Sequence, residues 1–197
     1  MDGPERPRHY SDIEEAERAA WDMLVRGALS RKSAFHQVTV ATVGPDGLPE
    51  ARTVVLRQAD RAGKHLRFNT DVRSAKYASL MRAPQCTLLF YDHGAKVQVR
   101  VRGAARLKNG CDECRSVWNT MREMSKECYR QKVGPGAALT GPAGAEGDLL
   151  DDEEGFHNFA LVPVAVARLE WLYLAAAGHR RAEFTYGDGV GRRWIAP

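Results

Sequence analysis

The sequence predicts a mainly β, α+β fold: an antiparallel β-barrel with a few helices outside it. Three observations carry this. Short runs that alternate apolar and polar residues, the period of a half-buried strand, recur from Val38 to the end of the chain. Turn residues break these runs at short intervals, as at Pro45-Asp46-Gly47, Gly178 and Gly187-Asp188-Gly189. Only three stretches, opening near Ser11, Ser74 and Cys111, have helical spacing. Six or more short antiparallel strands with so few helices fit a barrel.

The 197 residues suit one domain, expected over 11–197 after a loose, proline-rich arm at 1–10. Hydrophobic content of 44% and charged content of 27% are ordinary for a soluble globular protein. Net charge is 29 − 25 = +4, and the cations are spread along the chain. That argues against a nucleic-acid stripe and leaves room for one anion pocket. The apolar runs fall far short of the roughly 20 residues a membrane span needs. No charged-then-apolar leader opens the chain, so a cytoplasmic protein with reduced thiols and no membrane or nucleic-acid partner is expected. Of the four cysteines, Cys111 and Cys114 form a C-x-x-C, with Cys128 the only further ligand close in sequence. Zinc needs four ligands, so no metal is expected. Cys114, Val117, Trp118, Met121, Met124 and Cys128 instead read as the core face of a helix.

In chain order, Ser11-Asp-Ile-Glu14 reads as a capping box opening an amphipathic helix over 12–29. Val38–Val43 and Pro49–Leu56 flank Gly44-Pro-Asp-Gly47 and form a hairpin. Gln58–Lys64 is a polar connection to a strand at Leu66–Thr70. The helix from Ser74 must stop around Arg82, because Pro84 disfavours helix in the residue before it. Gln85–Tyr91 and Val97–Leu107 are strands, and a helix from about Cys111 to Tyr129 follows with Asn109 as N-cap. Residues 134–154, rich in Gly, Ala and Pro and then acidic, read as a long mobile loop bordering a site. Phe156–Pro163, Val164–Leu174, Arg180–Tyr186 and Arg193–Ala196 are the closing strands.

The chemistry concentrates at one junction. Arg52-Thr53-Val54-Val55-Leu56-Arg57 is a strand with a cation at each end, and Phe68-Asn69-Thr70 is a strand end running into the helix at Ser74. Unpaired amides and the dipole of a helix start favour an anion. Thr70, Arg73, Ser74 and Lys76 add hydroxyls and cations, so a phosphate site is expected there. No nucleophile triad, paired carboxylates, G-x-G-x-x-G or P-loop is recognisable, so any chemistry should come from a cofactor. Gln98, between two valines, shares its face with Lys96, Arg100 and Arg102 and reads as solvent-facing on these grounds. Trp171 reads as core.

Arg52-x4-Arg57, Phe68-x-Thr70-x3-Ser74-x-Lys76, Phe90-Tyr-Asp, Gln98-Val-Arg-x-x-Gly103 and Trp171…His179-x-Arg181…Trp194-x-x-Pro197 resemble the pyridoxamine 5'-phosphate oxidase family, in order and over nearly the whole chain from Trp21. The resemblance implies an FMN-binding split barrel, an FMN-dependent oxidoreductase working as a homodimer with FMN at the interface. It implies that Arg52, Thr70, Ser74 and Lys76 hold the phosphate and that Arg57 and Gln98 approach the ring. Trp171 and Arg181 would come from the partner subunit. Thr53, Val54, Val55, Leu56, Asn69 and Arg73 complete the implied cofactor set, and Arg57, His179 and Arg181 are the catalytic candidates. Two positions depart from the authentic oxidases. Ser74-Ala75-Lys76 replaces their Ser-Arg-Lys, with Arg73 displaced to the other side, and Ala177 stands at the first arginine of their Arg-x-His-x-Arg substrate motif. The chain therefore resembles a bacterial branch of the family whose small-molecule substrate need not be pyridoxamine phosphate. The alternatives are a deazaflavin- or haem-binding split barrel, with His93 or His179 as axial ligand, and a non-enzymatic flavin-binding module.

Overall fold

The computed structural model describes residues 11–139, 141, 149–176, 178–187 and 189–197. The sequence-based arm at 1–10, part of the 134–154 loop and Ala177 lie outside them. Helix α1 (Ile13–Leu29) packs over a barrel made by β1 (Gln37–Val43), β2 (Pro49–Asp60), β3 (His65–Asp71), β4 (Gln85–Asp92), β5 (Val97–Ala105) and β7 (Phe159–Tyr173). All pairings are antiparallel. The order β3-β2-β1-β4-β5-β7 closes because β7 pairs back onto β3. Helix α2 (Ala75–Arg82) links β3 to β4. The short strand β6 (Lys108–Asn109) lies beside the first half of β7, while β8 (Arg180–Thr185) and β9 (Gly191–Ile195) extend the sheet from its second half.

Alternation along the strands fills the barrel. Val38, Val40, Leu56, Leu66, Phe68, Leu88, Phe90, Val99, Val101, Val162, Val164 and Leu169 all point inward and are buried. Trp21 and Leu24 of α1 join the same core. Trp21 also donates Nε1–H to Tyr186, whose hydroxyl donates to the buried Glu17 at 2.9 Å, tying α1 to the end of β8. A second cluster, Cys114, Trp118, Tyr129, Phe156, Phe159 and Leu161, lies where α3 (Asp112–Thr120) and α5 (Asp152–Asn158) cover the first half of β7.

Several elements depart from the sequence-based expectation. Asp12, not Ser11, caps α1, accepting from the amides of Glu14 and Glu15. Cys111, not Asn109, caps α3; the Asn109 amide donates instead to the carbonyls of His157 and Phe159. The expected Cys111–Tyr129 helix breaks at Met121 and resumes as α4 (Glu123–Lys126). Its expected core face extends as far as Met121, which packs on the second cluster, but not beyond: Met124 is 81% exposed and Cys128 is exposed as well. Tertiary ties decide this. Asp152 accepts from Trp118 Nε1 and Lys126 Nζ, and Arg73 holds the carbonyls of Tyr129 and Gln131, turning the chain back on itself. The acidic run ending the expected loop is the first turn of α5, with an Asp151–Glu154 capping box, since carboxylates favour a helix N-terminus. The two strands expected around Pro163 are one 15-residue strand, β7. Strand β2 runs on to Asp60, through a bulge at which Arg57 is the unpaired residue.

Candidate functional site

A candidate cleft forms where β2 and β3 meet α2. Thr53, Val54, Val55, Arg57, Asn69, Thr70, Asp71, Lys76, Cys128, Tyr129 and Pro135 line a hollow of about 240 Å³. Alternation puts Leu56 in the core, so only its neighbours in the Thr53–Arg57 run reach the cleft. The bulge at Arg57 shifts the register between Leu56 and Gln58 and leaves the exposed Arg57 outside the ladder. A bulge beside a site is a common way to re-aim one side chain.

The floor of the cleft brings hydroxyls and a cation to a helix start. Ser74 is the N-cap residue of α2, yet its side chain makes no capping bond; its hydroxyl donates to the Asp71 carbonyl at 2.7 Å and lies 3.0 Å from Thr70 Oγ1. The Lys76 ammonium donates to Thr70 Oγ1 at 3.2 Å, and no carboxylate among the described residues lies within ion-pair distance of it. An uncapped helix start, two hydroxyls and an unneutralised ammonium fit the phosphate of FMN. Arg52 stands close by, its guanidinium held by Thr42 Oγ1 at 2.6 Å and Glu50 Oε2 at 2.7 Å. Arg73 turns elsewhere. It pairs with the buried Asp71 at 2.7 Å and donates to Gln131 and Tyr129, clamping the 129–131 segment over the cleft.

Burial first, and then the charge of Arg52, push the Lys76 ammonium below its usual value. A bound dianion would favour the protonated form, so phosphate-ester affinity should fall as pH rises through that depressed value. The fall should therefore begin below the ordinary lysine value of 10.5. Titration of FMN affinity across alkaline pH checks this, and an affinity that stays flat up to that value would remove Lys76 as the anchor.

Beside this cleft lies a second hollow of about 260 Å³, lined by Arg31, Arg57, Arg67, Asn69, Val117, Thr120, Met121, Arg122 and Ser125. It shares Arg57 and Asn69 with the first. Arg67 Nε and Nη1 and Asn69 Oδ1 are buried there without partners, and burial lowers the Arg67 pKa. Arg31, Arg67 and Arg122 escaped the sequence reading. Arg67 had a signal, being two residues before Asn69 on one strand face; Arg31 and Arg122 had none.

The remaining sequence candidates stand elsewhere. Gln98 is on the outer face of β5, paired with Tyr91 and Leu172, and Leu172 pairs in turn with Arg181. Trp171 is fully buried in the barrel core, 6.0 Å from the Tyr173 ring and 6.4 Å from that of Trp194. Arg181 and Arg100 both pair with the buried Glu170 at 2.5 Å. His179 is exposed in a separate hollow with Arg180, Arg181 and Trp194, and His93 is exposed in the β4–β5 turn. The fold of the single chain thus joins Arg52, Thr70, Ser74 and Lys76 but does not bring Gln98, Trp171, His179 or Arg181 to them.

Burial alone would raise the Glu170 carboxyl, but hydrogen bonds and charge from Arg100 and Arg181 outweigh it, so the net shift is downward. The stability it adds is therefore complete above the ordinary carboxylate range and lost as pH falls through the depressed value. Glu170→Gln should flatten the acid limb of a stability–pH curve. An unchanged limb would show that these pairs add nothing.

Among the described residues no helix is long and apolar enough to cross a membrane, and no cluster of three or more His, Cys, Asp or Glu side chains could hold a metal. Residues 18–109 match the model of the pyridoxamine 5'-phosphate oxidase FMN-binding domain. A pyridoxine/pyridoxamine 5'-phosphate oxidase of Azorhizobium caulinodans is 36% identical over 103 residues, covering 51% of this chain and 48% of that one. One from Thermobifida fusca is 46% identical over 70 residues, covering 36% and 31%. The matches thus span about half or less of these relatives. A pyridoxamine 5'-phosphate oxidase-related, FMN-binding protein of Nostoc punctiforme superposes with a TM-score of 0.76 at 25% identity, covering 91% of this chain and 97% of that one. PhzG of Burkholderia lata, solved with tetrahydrophenazine-1-carboxylic acid, shares the fold with a TM-score of 0.68 at 16% identity, covering 98% of both chains. The chain is thus a closed antiparallel split barrel whose residues 18–109, just under half of it, match the FMN-binding domain of the pyridoxamine 5'-phosphate oxidase family.

Proposed function

We propose that the protein is an FMN-dependent oxidoreductase, a cytoplasmic homodimer that moves a hydride between flavin and a small anionic molecule. The observation that carries this is the unneutralised Lys76 ammonium, set with Thr70 and Ser74 at the uncapped start of α2, beside the bulged Arg57. Lys76, Thr70, Ser74 and Arg52 would hold the cofactor phosphate, and Arg57 and Asn69 would border its ring. FMN, when bound, supplies the redox chemistry. The arginine-lined hollow next to it would orient an anion against that ring and keep it there by charge. Pyridoxamine phosphate is one candidate substrate among anionic molecules.

Two observations favour a dimer. The cleft of about 240 Å³ is smaller than the roughly 300–1,000 Å³ of a complete small-molecule site. Gln98 and Arg181 stand on the open outer face of the sheet, and a wide apolar hollow of about 540 Å³ lies on the same sheet between Ala41, Pro49, Thr87 and Ala104. A second copy seated on that face would cover the hollow and supply the missing wall.

The test is the visible spectrum of purified protein given excess FMN and then desalted, with its mass in solution measured in parallel. A retained flavin band, one per chain, in a dimer is the expected result. A colourless monomer that refuses FMN would sink the proposal.

A further inference from the structure

The C-x-x-C at the start of α3 has no part in the function proposed above. Cys111 Sγ and Cys114 Sγ lie 3.0 Å apart, both free thiols. Cys111 is the N-cap residue, and its sulfur accepts the Cys114 amide N–H at 3.4 Å. Cys114 is wholly buried in the cluster with Trp118, Tyr129 and Phe159, whereas Cys111 is only half-buried. The turn that brings them together is anchored on both sides. Gly110 takes φ +68°, open to glycine at little cost, and the Asn109 amide donates to the His157 and Phe159 carbonyls at 3.0 and 2.8 Å. Lys108 pairs with Glu113 across it.

This asymmetry separates two roles. Cys111 is reachable from solvent, sits at the positive end of a nine-residue helix, accepts the Cys114 amide N–H and lies within hydrogen-bond distance of the Cys114 thiol, which can donate to its thiolate. These favour its thiolate, the nucleophilic form. The hydrogen bond from Cys114 is the main cause of a downward shift at Cys111, while burial pushes Cys114 up. Cys114, shielded from solvent, can reach only the sulfur in front of it. No third ligand completes a metal cluster among the described residues.

We propose that Cys111 and Cys114 are a redox-active dithiol that exchanges with small-molecule disulfides, Cys111 attacking and Cys114 resolving. The Cys111 thiolate attacks one sulfur of the small disulfide; that S–S bond breaks, and a mixed disulfide forms on Cys111 as the first small thiolate leaves. Cys114 loses its proton and attacks Cys111 Sγ, forming the intramolecular disulfide and expelling the second small thiolate. The dithiol gives up two electrons and two protons, and the small disulfide becomes two thiols.

The experiment uses the full-length protein, equilibrated without oxygen in glutathione buffers of graded oxidation, then quenched with acid, denatured, alkylated and mapped by mass spectrometry. Cys111 and Cys114 should lose their labels together and appear as one disulfide-linked peptide two hydrogens lighter, with Cys86 and Cys128 still labelled. In the native reduced protein Cys111 should alkylate about 10-fold faster than Cys128 at neutral pH. Cys114→Ser should stop the reaction at a glutathione adduct on Cys111. Should that variant not fold, Cys111→Ser serves instead and should leave Cys114 free of any adduct. Cys111 and Cys114 remaining fully labelled in the most oxidising buffer, or an adduct on Cys128 in place of Cys111, would overturn the proposal.

Discussion

Replacing Lys76 by alanine is expected to weaken FMN binding about 10- to 100-fold, from the roughly 1.5–3 kcal/mol that a hydrogen bond to a charged group contributes. The reasoning rests on what else could neutralise a phosphate at the start of α2. Arg73 is committed to Asp71, and Arg52 is shared with Thr42 and Glu50, which leaves Lys76, bonded to Thr70 at the start of α2, with no carboxylate of the described residues in ion-pair range. Arg52→Ala should cost about 10-fold, because it also leaves the Glu50 carboxylate facing the anion. The two residues influence each other electrostatically, so their effects should not simply add. Lys76→Arg should recover part of the loss, since it keeps the charge. Equilibrium dialysis with FMN, beside a thermal melt of each variant, separates lost binding from lost fold. Both alanine variants binding FMN within about threefold of the parent, on an intact fold, would remove the phosphate from this cleft.

Gly103→Ala is expected to destabilise the barrel by about 3 kcal/mol, at the upper end for overpacking. A Cβ at Gly103 would lie 2.2 Å from the Ala165 carbonyl oxygen and 2.8 Å from Val164 Cγ1. The first obstacle is backbone of β7, the strand that closes the barrel, so no rotamer change relieves it. The register between β5 and β7 shifts at this point, with Gly103 facing Val166. Relief requires prising the two strands apart, which also disturbs the pairing of Ala104 and Ala105. The melting temperature should fall by about 6–12 °C for a domain of this size. Ala104→Ser, one residue on and exposed, should change stability by less than about 0.5 kcal/mol. Equal melting temperatures for Gly103→Ala and the parent would mean the seam is looser than these distances imply.

The glycine illustrates how the two kinds of information meet. In the sequence, Gly103 is one letter of a pattern shared with a family; in the fold, it is the place where two backbones come too close for a side chain. Arg73 shows the converse. Its charge and position beside Ser74 suited a phosphate ligand, but Asp71 lies two residues away and captures it, so its charge secures the 129–131 segment instead.

By itself the sequence determined most strands of the barrel, the helix after β3 and the clustering of Thr70, Ser74 and Lys76. Each depends on neighbours within a few residues: the two-residue period, the Pro-Asp-Gly turn, and hydroxyls and a cation on one strand–helix junction. Tertiary structure decided the rest. Barrel closure is the pairing of β3 with β7, about ninety residues apart in the chain, and no local pattern encodes it. The break after Thr120 follows from Asp152 and Arg73 pulling on distant groups, against an apolar spacing that would have carried the helix on. Strand β7 runs unbroken through Pro163 because its neighbours on both sides hold it, the Arg106 amide donating to the Pro163 carbonyl. The arginine hollow gathers Arg31, Arg57, Arg67 and Arg122 from four separate segments. Charges that distant in sequence become one site only when the chain has folded, because their attraction for an anion depends on spatial separation alone.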